Sequence, residues 1–253
     1  CAIALRQARL FKAAQAQVVE LERLNQLKDD FLSTVSHELR TPMASIKMST
    51  EMLEIYLQRL QILDEPAIEP INLELDATGI KRYFQILKDE GNREISLIND
   101  LLDLARIDAQ AEPLNLVTIP LQNWIPRCLE TWMQRAEQYQ LTLTLDIQTD
   151  LPPITTDLSY LQRILSELVN NACKYTPPQE SITVTADATT VFEIRVSNSG
   201  VEIPAEERDR IFERFYRIPN TDPWRYEGTG LGLALVKKLV EYLGGTIDVE
   251  SSD

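Results

Sequence analysis

A single histidine stands among residues that suit nucleophilic chemistry. His37 is the only histidine in the 253 residues, with Glu38 directly after it and Thr41 four positions on. An imidazole with a pKa of about 6.5 is a good neutral nucleophile near neutral pH. A neighbouring carboxylate can accept the Nδ1 proton and leave Nε2 free to attack, and a residue at i+4 shares the same helix face. The pattern fits a reactive histidine with its own base, although a surface histidine on an amphipathic helix gives the same local pattern.

A second group of polar residues lies in the stretch SELVNNACKYTP. Glu167, Asn171 and Lys174 fall at i, i+4 and i+7, which places them on one face of a predicted helix. An amide oxygen suits Mg²⁺, a hard cation that keeps several waters and otherwise binds phosphate oxygens. Lys174 can neutralise phosphate charge, and Tyr175 stands where it could flank a nucleotide. The alternative is a helix with an ordinary polar face.

The third group is glycine-rich. Gly228, Thr229, Gly230, Leu231 and Gly232 come directly before a predicted helix. Glycines let backbone N–H groups approach phosphate oxygens, and a helix N-terminus favours anions. A G-x-G-x-G string by itself equally suits a flexible hinge, so its meaning depends on the groups that precede it. The chain has no GxxxxGK[ST] string of the P-loop kind.

These strings together resemble the sensor histidine kinases. S-H-E-L-R-T-P resembles their phosphoacceptor box, and the later strings resemble, in order, their catalytic ATP-binding domain, whose superfamily includes gyrase and heat-shock chaperones. The resemblance implies that His37 is phosphorylated, that Glu38 is the general base and that Thr41 positions water for dephosphorylating a partner. It also implies that Asn171 is a Mg²⁺ ligand. Glu167 stands where many of these kinases have Asn, and would ligate the metal or order water.

One string departs from the family pattern. VSNSGVEIP occupies the place of a D-x-G-x-G box whose Asp accepts a hydrogen bond from the adenine amino group; here Asn198 stands at that position, Gly200 is retained and Glu202 replaces the second glycine. Asn still accepts through its carbonyl oxygen, but loss of a charged acceptor costs on the order of 1 kcal/mol. This departure supports the alternative function, a pseudokinase or dimeric signalling scaffold with weak nucleotide binding.

Three segments must position these groups. Residues 1–30 lack Gly and Pro and predict a coiled-coil linker, whose opening CAIALRQARLF weakly resembles the closing helix of a GAF sensor domain upstream in the same chain. Residues 31–110 predict a helical hairpin, its second helix at about 77–109. Two copies would form a dimeric four-helix bundle, because one hairpin cannot cover its own apolar stripes. Residues 111–253 predict an α+β sandwich, a mixed sheet with helices on one face.

Local patterns place the elements of this last segment. LTLTLDI alternates with period two and predicts a strand, and SITVTADA and VFEIRVSN are further strands. Asp157 is a predicted N-cap for a helix over Leu158–Tyr175. Other predicted helices cover 121–139 and about 231–242, and the aromatics of RIFERFYRI are at helical spacing.

The composition limits which partners and which cellular compartment the chain can have. The net charge of −14 argues against a general nucleic-acid binder. No apolar run approaches the roughly 20 residues of a membrane span, and the three cysteines are scattered, which favours a reducing cytoplasm. The first residue is Cys rather than Met, so the chain looks like part of something longer. We therefore predict a cytoplasmic, homodimeric histidine kinase core that uses ATP and Mg²⁺ and passes phosphate to an aspartate of a response regulator. Phosphatase action on that regulator is a further activity that Glu38 and Thr41 would support.

Overall fold

The computed structural model divides into two compact units between Ser96 and Leu97. It describes residues 15, 17–18, 33–36, 38–57, 73–109, 113–189, 191–219 and 229–251, with the backbone alone for 73–77. Residues 15, 17 and 18 are helical. The predicted coiled coil and the GAF-like opening otherwise lie outside the described residues. The predicted domain boundaries after residues 30 and 110 stay predictions.

The first unit is built from helices. Helix α1 covers residues 38–57 and helix α2 covers Leu73–Asp108, whose last turns belong to the second unit. Tyr56 near the end of α1 packs against Tyr83 near the start of α2, with ring centroids 5.9 Å apart. A Cβ placed on Gly79 would lie 2.6 Å from Cζ of Tyr56, so a larger residue there would displace the ring. The contact has the arrangement of the predicted helical hairpin.

The second unit contains a mixed sheet, as predicted. Strands β2 (Thr142–Ile147), β4 (Ser181–Asp187) and β5 (Glu193–Asn198) lie in the order β2-β4-β5. The β2–β4 pair is parallel and the β4–β5 pair is antiparallel. Strands β1 (Leu116–Ile119) and β3 (Ile154–Asp157) form a separate antiparallel pair, a subdivision that the strand patterns did not indicate.

Helices cover one face of this sheet because each carries an apolar stripe. Helix α3 spans Leu121–Gln138, α4 spans Leu158–Tyr175 and α5 spans Gly232–Tyr242, close to the predicted bounds. Residues at helical spacing on α3 and α4 are buried against the inward side chains of β4. The most deeply buried of these side chains are Leu121, Ile125, Leu129, Leu165, Val169, Ile182 and Val184.

Asp157 begins α4, as predicted. Its Oδ1 accepts from the backbone N–H groups of Ser159, at 3.0 Å, and Tyr160, at 3.4 Å. Its Oδ2 accepts from the backbone N–H of Asn115, at 2.8 Å. Burial would raise the pKa of this carboxyl, but the Ser159 hydroxyl, which also donates to Oδ1, and these backbone donors outweigh burial, so the pKa is lowered. One ionised side chain therefore caps a helix and also holds the segment that enters β1.

The RIFERFYRI segment is not a continuous helix, so the helical-spacing interpretation of its aromatics is wrong. Within this segment only Arg210–Phe212 are helical, and they form a single 3₁₀ turn. Another 3₁₀ turn, Ala205–Glu207, precedes the segment. Phe215 takes a left-handed φ of 63°, which ends any helical repeat. The Arg210 guanidinium instead stacks 4.2 Å from the centroid of the Tyr216 ring.

Candidate nucleotide site

Helix α4 presents the predicted polar face at the edge of the core. The Glu167 side chain is only 15% exposed, and Asn171 and Lys174 are half-buried. The Lys174 ammonium lies 4.8 Å from the centre of the Tyr175 ring, and its Nζ is 3.3 Å from the tyrosine hydroxyl. Tyr175 is 37% exposed at the end of the helix. The buried stripe of α4 fixes the helix rotation, and this rotation sets where the polar residues point.

The first residue of α5 lies against this polar face. A Cβ placed on Gly232 would lie 2.8 Å from Oε2 of Glu167 and 3.9 Å from Nδ2 of Asn171. Real Cβ atoms do not approach an oxygen that closely, so any larger residue at this position would displace the Glu167 carboxylate or α5. The last glycine of the glycine-rich string and two residues of the α4 string therefore meet at one place. That meeting brings two side chains that were predicted to bind Mg²⁺ to the N-terminus of a helix, where anions bind favourably.

The rest of the glycine-rich string is held by the segment before it. Gly230 has a φ of 69°, and a Cβ there would lie 2.7 Å from the backbone carbon of Phe215. The backbone N–H of Phe215 donates to the Gly230 carbonyl at 2.9 Å. The backbone N–H of Leu231, a fully buried residue, donates to the Thr229 hydroxyl at 3.3 Å. Gly228 lies outside the described residues.

The altered box lies at the end of β5. Asn198 is exposed and pairs with Ile182 across the sheet, and Gly200 has a φ of 76° with Glu180 and Pro177 packed against it. Glu202 is exposed and is absent from the described residues with positive φ. The chain therefore accommodates glutamate at this position without backbone strain. The adenine-binding role of Asn198 stays a prediction.

The phosphoacceptor string is described only in part. His37 lies outside the described residues, whereas Glu38 and Thr41 are both on α1. Glu38 is half-buried and Thr41 is exposed. Their separation of three residues places them one helical turn apart. The catalytic roles of all three residues stay predictions.

Two further residues join the α4 face and were missed by the sequence interpretation. Arg163 reaches both Asp100 of α2 and Glu167, its Nη2 lying 3.3 Å from Glu167 Oε1. Burial raises the pKa of Glu167 against the attraction of Arg163, and it raises the pKa of Asp100 to about 6 despite the same arginine. The i, i+4 spacing of Arg163 and Glu167 was a readable signal for half of this group. Nothing in the sequence indicated that Asp100 would join it.

The residues present fit a Mg²⁺ ion that arrives with a nucleotide. Among the described residues no group of three or more His, Cys, Asp or Glu side chains is placed to hold a metal ion. Mg²⁺ in phosphate-binding sites takes only one or two side-chain oxygens, and phosphates and waters supply the others. Glu167 and Asn171 beside the space at Gly232 match this sparse ligand set. Both remain predicted ligands.

Comparisons with known proteins agree with this architecture. Residues 27–110 match the His Kinase A (phospho-acceptor) domain family, and residues 156–253 match the family described as histidine kinase-, DNA gyrase B- and HSP90-like ATPase. With this pair of domains, the chain belongs to the sensor histidine kinases.

Named relatives extend the comparison. Sensor protein SrrB of Staphylococcus aureus (strain MRSA252) is 32% identical over 229 residues, which is 90% of this chain and 36% of SrrB. The chain thus spans about a third of the length of this curated relative. Full-length ShkA in complex with AMPPNP is 27% identical with a TM-score of 0.60, over 88% of this chain and 43% of ShkA. Histidine kinase ThkA in complex with response regulator TrrA shares the fold at 22% identity and a TM-score of 0.61, over 88% of this chain and 57% of the ThkA chain. No helix among the described residues is long and apolar enough to cross a membrane.

Proposed function

We propose that this chain is a protein-histidine kinase that phosphorylates His37 from ATP and passes the phosphoryl group to an aspartate of a response regulator. The observation that carries the proposal is the meeting of Glu167, Asn171 and Gly232 at the N-terminus of α5. Residues from two distant strings meet there, and their carboxylate, amide and helix N-terminus have the chemistry that a metal-bound triphosphate needs. The two domain-family matches supply the phosphoacceptor and the ATPase.

Each residue has a defined part in this reaction. Nε2 of His37 attacks the γ-phosphorus, the new N–P bond forms, and the bond to the leaving oxygen of ADP breaks. Glu38 accepts the Nδ1 proton. Glu167 and Asn171 would hold Mg²⁺, which neutralises charge that develops on the phosphates, while Lys174 and the backbone of Thr229–Gly232 bind the remaining phosphate oxygens. Asn198 with Gly200 would bind the adenine and Tyr175 would flank the nucleotide.

The alternative function, a pseudokinase or dimeric signalling scaffold with weak nucleotide binding, has weaker support. It rests on Asn198 and Glu202, but the backbone at Glu202 does not take the positive φ that would require glycine. ShkA, at 27% identity, was solved with the ATP analogue AMPPNP. Thr41 with Glu38 also supports phosphatase action on the regulator as a second activity of the same helix.

A labelling experiment separates these functions. Incubation with γ-labelled ATP and Mg²⁺ is expected to give an acid-labile, alkali-stable label on the protein, and His37→Ala is expected to abolish it while retaining nucleotide binding. Label that persists in His37→Ala would assign the phosphate to another residue. Absence of label together with absence of ATP binding would favour the scaffold. Loss of label from a phosphorylated receiver domain incubated with His37→Ala, and its retention with Thr41→Ala added, would reveal the phosphatase.

We further propose that the chain is a homodimer. Phe84, Ile95, Ile98 and Leu102 are each between 44% and 65% exposed on α2 in the single chain. At about 100° per residue they share one stripe, and an apolar stripe of this kind is typical of a helix that a second copy covers. Sedimentation of the full chain is expected to give twice the monomer mass of 28.9 kDa.

The regulator and the compartment are proposals of the same kind. A phospho-acceptor domain needs a recipient for its phosphate, and an aspartate of a receiver domain is the chemistry we propose. The ThkA–TrrA complex shares only the fold with this chain, so it does not identify the regulator. We place the reaction in the cytoplasm, where ATP is available and where thiols such as those of Cys128 and Cys173, both free, stay reduced.

A further inference from the structure

Arg163 lies between two acids that belong to different helices. Its Nη2 contacts Oδ1 of Asp100 on α2 and lies 3.3 Å from Oε1 of Glu167 on α4. The Asp100 side chain is 5% exposed, the Glu167 side chain 15% and the Arg163 side chain 32%. All three therefore interact in a setting where water screens their charges poorly.

The two oxygens of Glu167 face different groups. Oε1 faces Arg163, whereas Oε2 faces the space at Gly232, with the amide of Asn171 on the same side. A contact to one oxygen fixes how the carboxylate is turned and so fixes where the other oxygen points. Arg163 thereby aims Oε2 toward the place where a metal-bound phosphate would lie.

Asp100 in turn holds Arg163. The Arg163 Nε is buried and has no hydrogen-bond partner, so the guanidinium is fixed mainly through its Nη2 end. Without Asp100, the contact to Glu167 would leave the arginine free to rotate about that end.

We propose that Arg163 is a positioning residue for Glu167 and that Asp100 acts through it, which makes the end of α2 a part of the support for the metal–nucleotide site. This inference rests on the proposed function, because it assigns Glu167 a role in holding Mg²⁺. Carboxylates that ligate metals are themselves held by hydrogen bonds, and loss of such a partner costs about 10–100-fold in metal affinity or activity. Neither Asp100 nor Arg163 touches the substrate in this scheme.

The test measures metal dependence rather than turnover. Fluorescence of trinitrophenyl-ATP bound to the full chain is titrated with Mg²⁺, and the concentration for half-maximal binding is compared among variants. Arg163→Gln is expected to raise that concentration about 10-fold or more. Arg163→Lys keeps the charge but loses the planar guanidinium, so its half-maximal Mg²⁺ concentration is expected to lie between those of the wild type and Arg163→Gln. Arg195→Gln, which breaks a surface ion pair with Glu193 on β5, is the matched control and should leave the half-maximal Mg²⁺ concentration unchanged.

The double variant makes the test independent of stability. Arg163→Gln alone leaves Asp100 buried without its cation, which destabilises the fold. Asp100→Asn with Arg163→Gln removes both charges and is expected to show the same Mg²⁺ requirement as Arg163→Gln, because Asp100 acts only through the arginine. Asp100→Asn alone shifts the requirement in the same direction by a smaller factor.

The outcomes distinguish the two proposals. A wild-type protein that binds the probe without any Mg²⁺ dependence, or not at all, overturns the proposed metal–nucleotide site itself. A Mg²⁺-dependent wild type whose variants share its half-maximal concentration overturns the positioning role alone. Additive effects of the Asp100 and Arg163 substitutions would show that Asp100 acts by another route and would refute the chain of contacts.

Discussion

Gly232→Ala tests the candidate site through a single methyl group. The new Cβ would lie 2.8 Å from Oε2 of Glu167, and ordinary contacts begin at 3.4 Å, so the carboxylate must move by about 0.6 Å or α5 must shift. The carboxylate is held by Arg163 on its other side, so movement also weakens that ion pair. Misplacement of a binding group by about 1 Å can cost on the order of 10²-fold. We expect nucleotide affinity or the rate of His37 labelling to fall by about 10–100-fold.

Stability should change less than binding. Gly232 is the first residue of α5, and φ there is not in the left-handed region, so the helix propensity that alanine adds, up to about 1 kcal/mol, works against the strain from the displaced Glu167 carboxylate. The assay therefore pairs trinitrophenyl-ATP binding with urea unfolding of the same sample. Gly91→Ala on α2, where an added Cβ meets nothing within 4 Å, is the matched control and should leave binding intact. Unchanged nucleotide binding in Gly232→Ala, together with an unchanged rate of His37 labelling, would refute the assignment of Glu167 to the site.

Three further predictions concern stability. Gly244→Ala is expected to cost about 1 kcal/mol from backbone strain alone, since φ is 80° and the space around it is open; urea unfolding measures it, and a neutral result would contradict the left-handed backbone. Asp157→Ala removes the α4 cap and the acceptor for Asn115, so unfolding should become easier by about 2 kcal/mol, whereas a loss below 0.5 kcal/mol would show that other groups cap the helix. The raised pKa of Asp100, about 6 against an ordinary 3.8, means that the folded state keeps a proton which the unfolded state has released, so stability falls by up to about 3 kcal/mol as pH rises from 4 to 7. Asp100→Asn should flatten this part of the pH profile, and identical profiles would contradict it.

The sequence was sufficient wherever a local pattern determined the structure. An acid before an apolar stripe predicted the Asp157 cap, because capping needs only the residue and the three that follow it. Period-two alternation predicted β2, since its side chains face water and core in turn. The polar face of α4 followed from the spacing of Glu167 and Asn171 along one helix.

Contacts between distant residues were less accessible. That Gly232 would lie against Glu167 followed from no spacing, because the packing of α5 on α4 decides it. The Asp100–Arg163 pair likewise joins two residues that are 63 positions apart in the chain. The helical interpretation of RIFERFYRI failed for a related reason. The backbone hydrogen bond from Phe215 to Gly230 holds that segment in an irregular turn, so here a tertiary contact outweighs the helical spacing of the side chains.

The parallel pairing of β2 with β4 has a consequence for how the chain folds. The side chains of Thr144 and Thr183, which meet across that pair, are 39 residues apart, and the whole of α4 lies between them. Closing such a loop costs chain entropy before the sheet contributes any contacts, so structures rich in non-local pairs fold slowly. The helical hairpin needs only contacts between neighbouring segments. In a refolding experiment, helical signal should therefore return before the sheet, and the glycine-rich string should acquire its place beside Glu167 in the last phase.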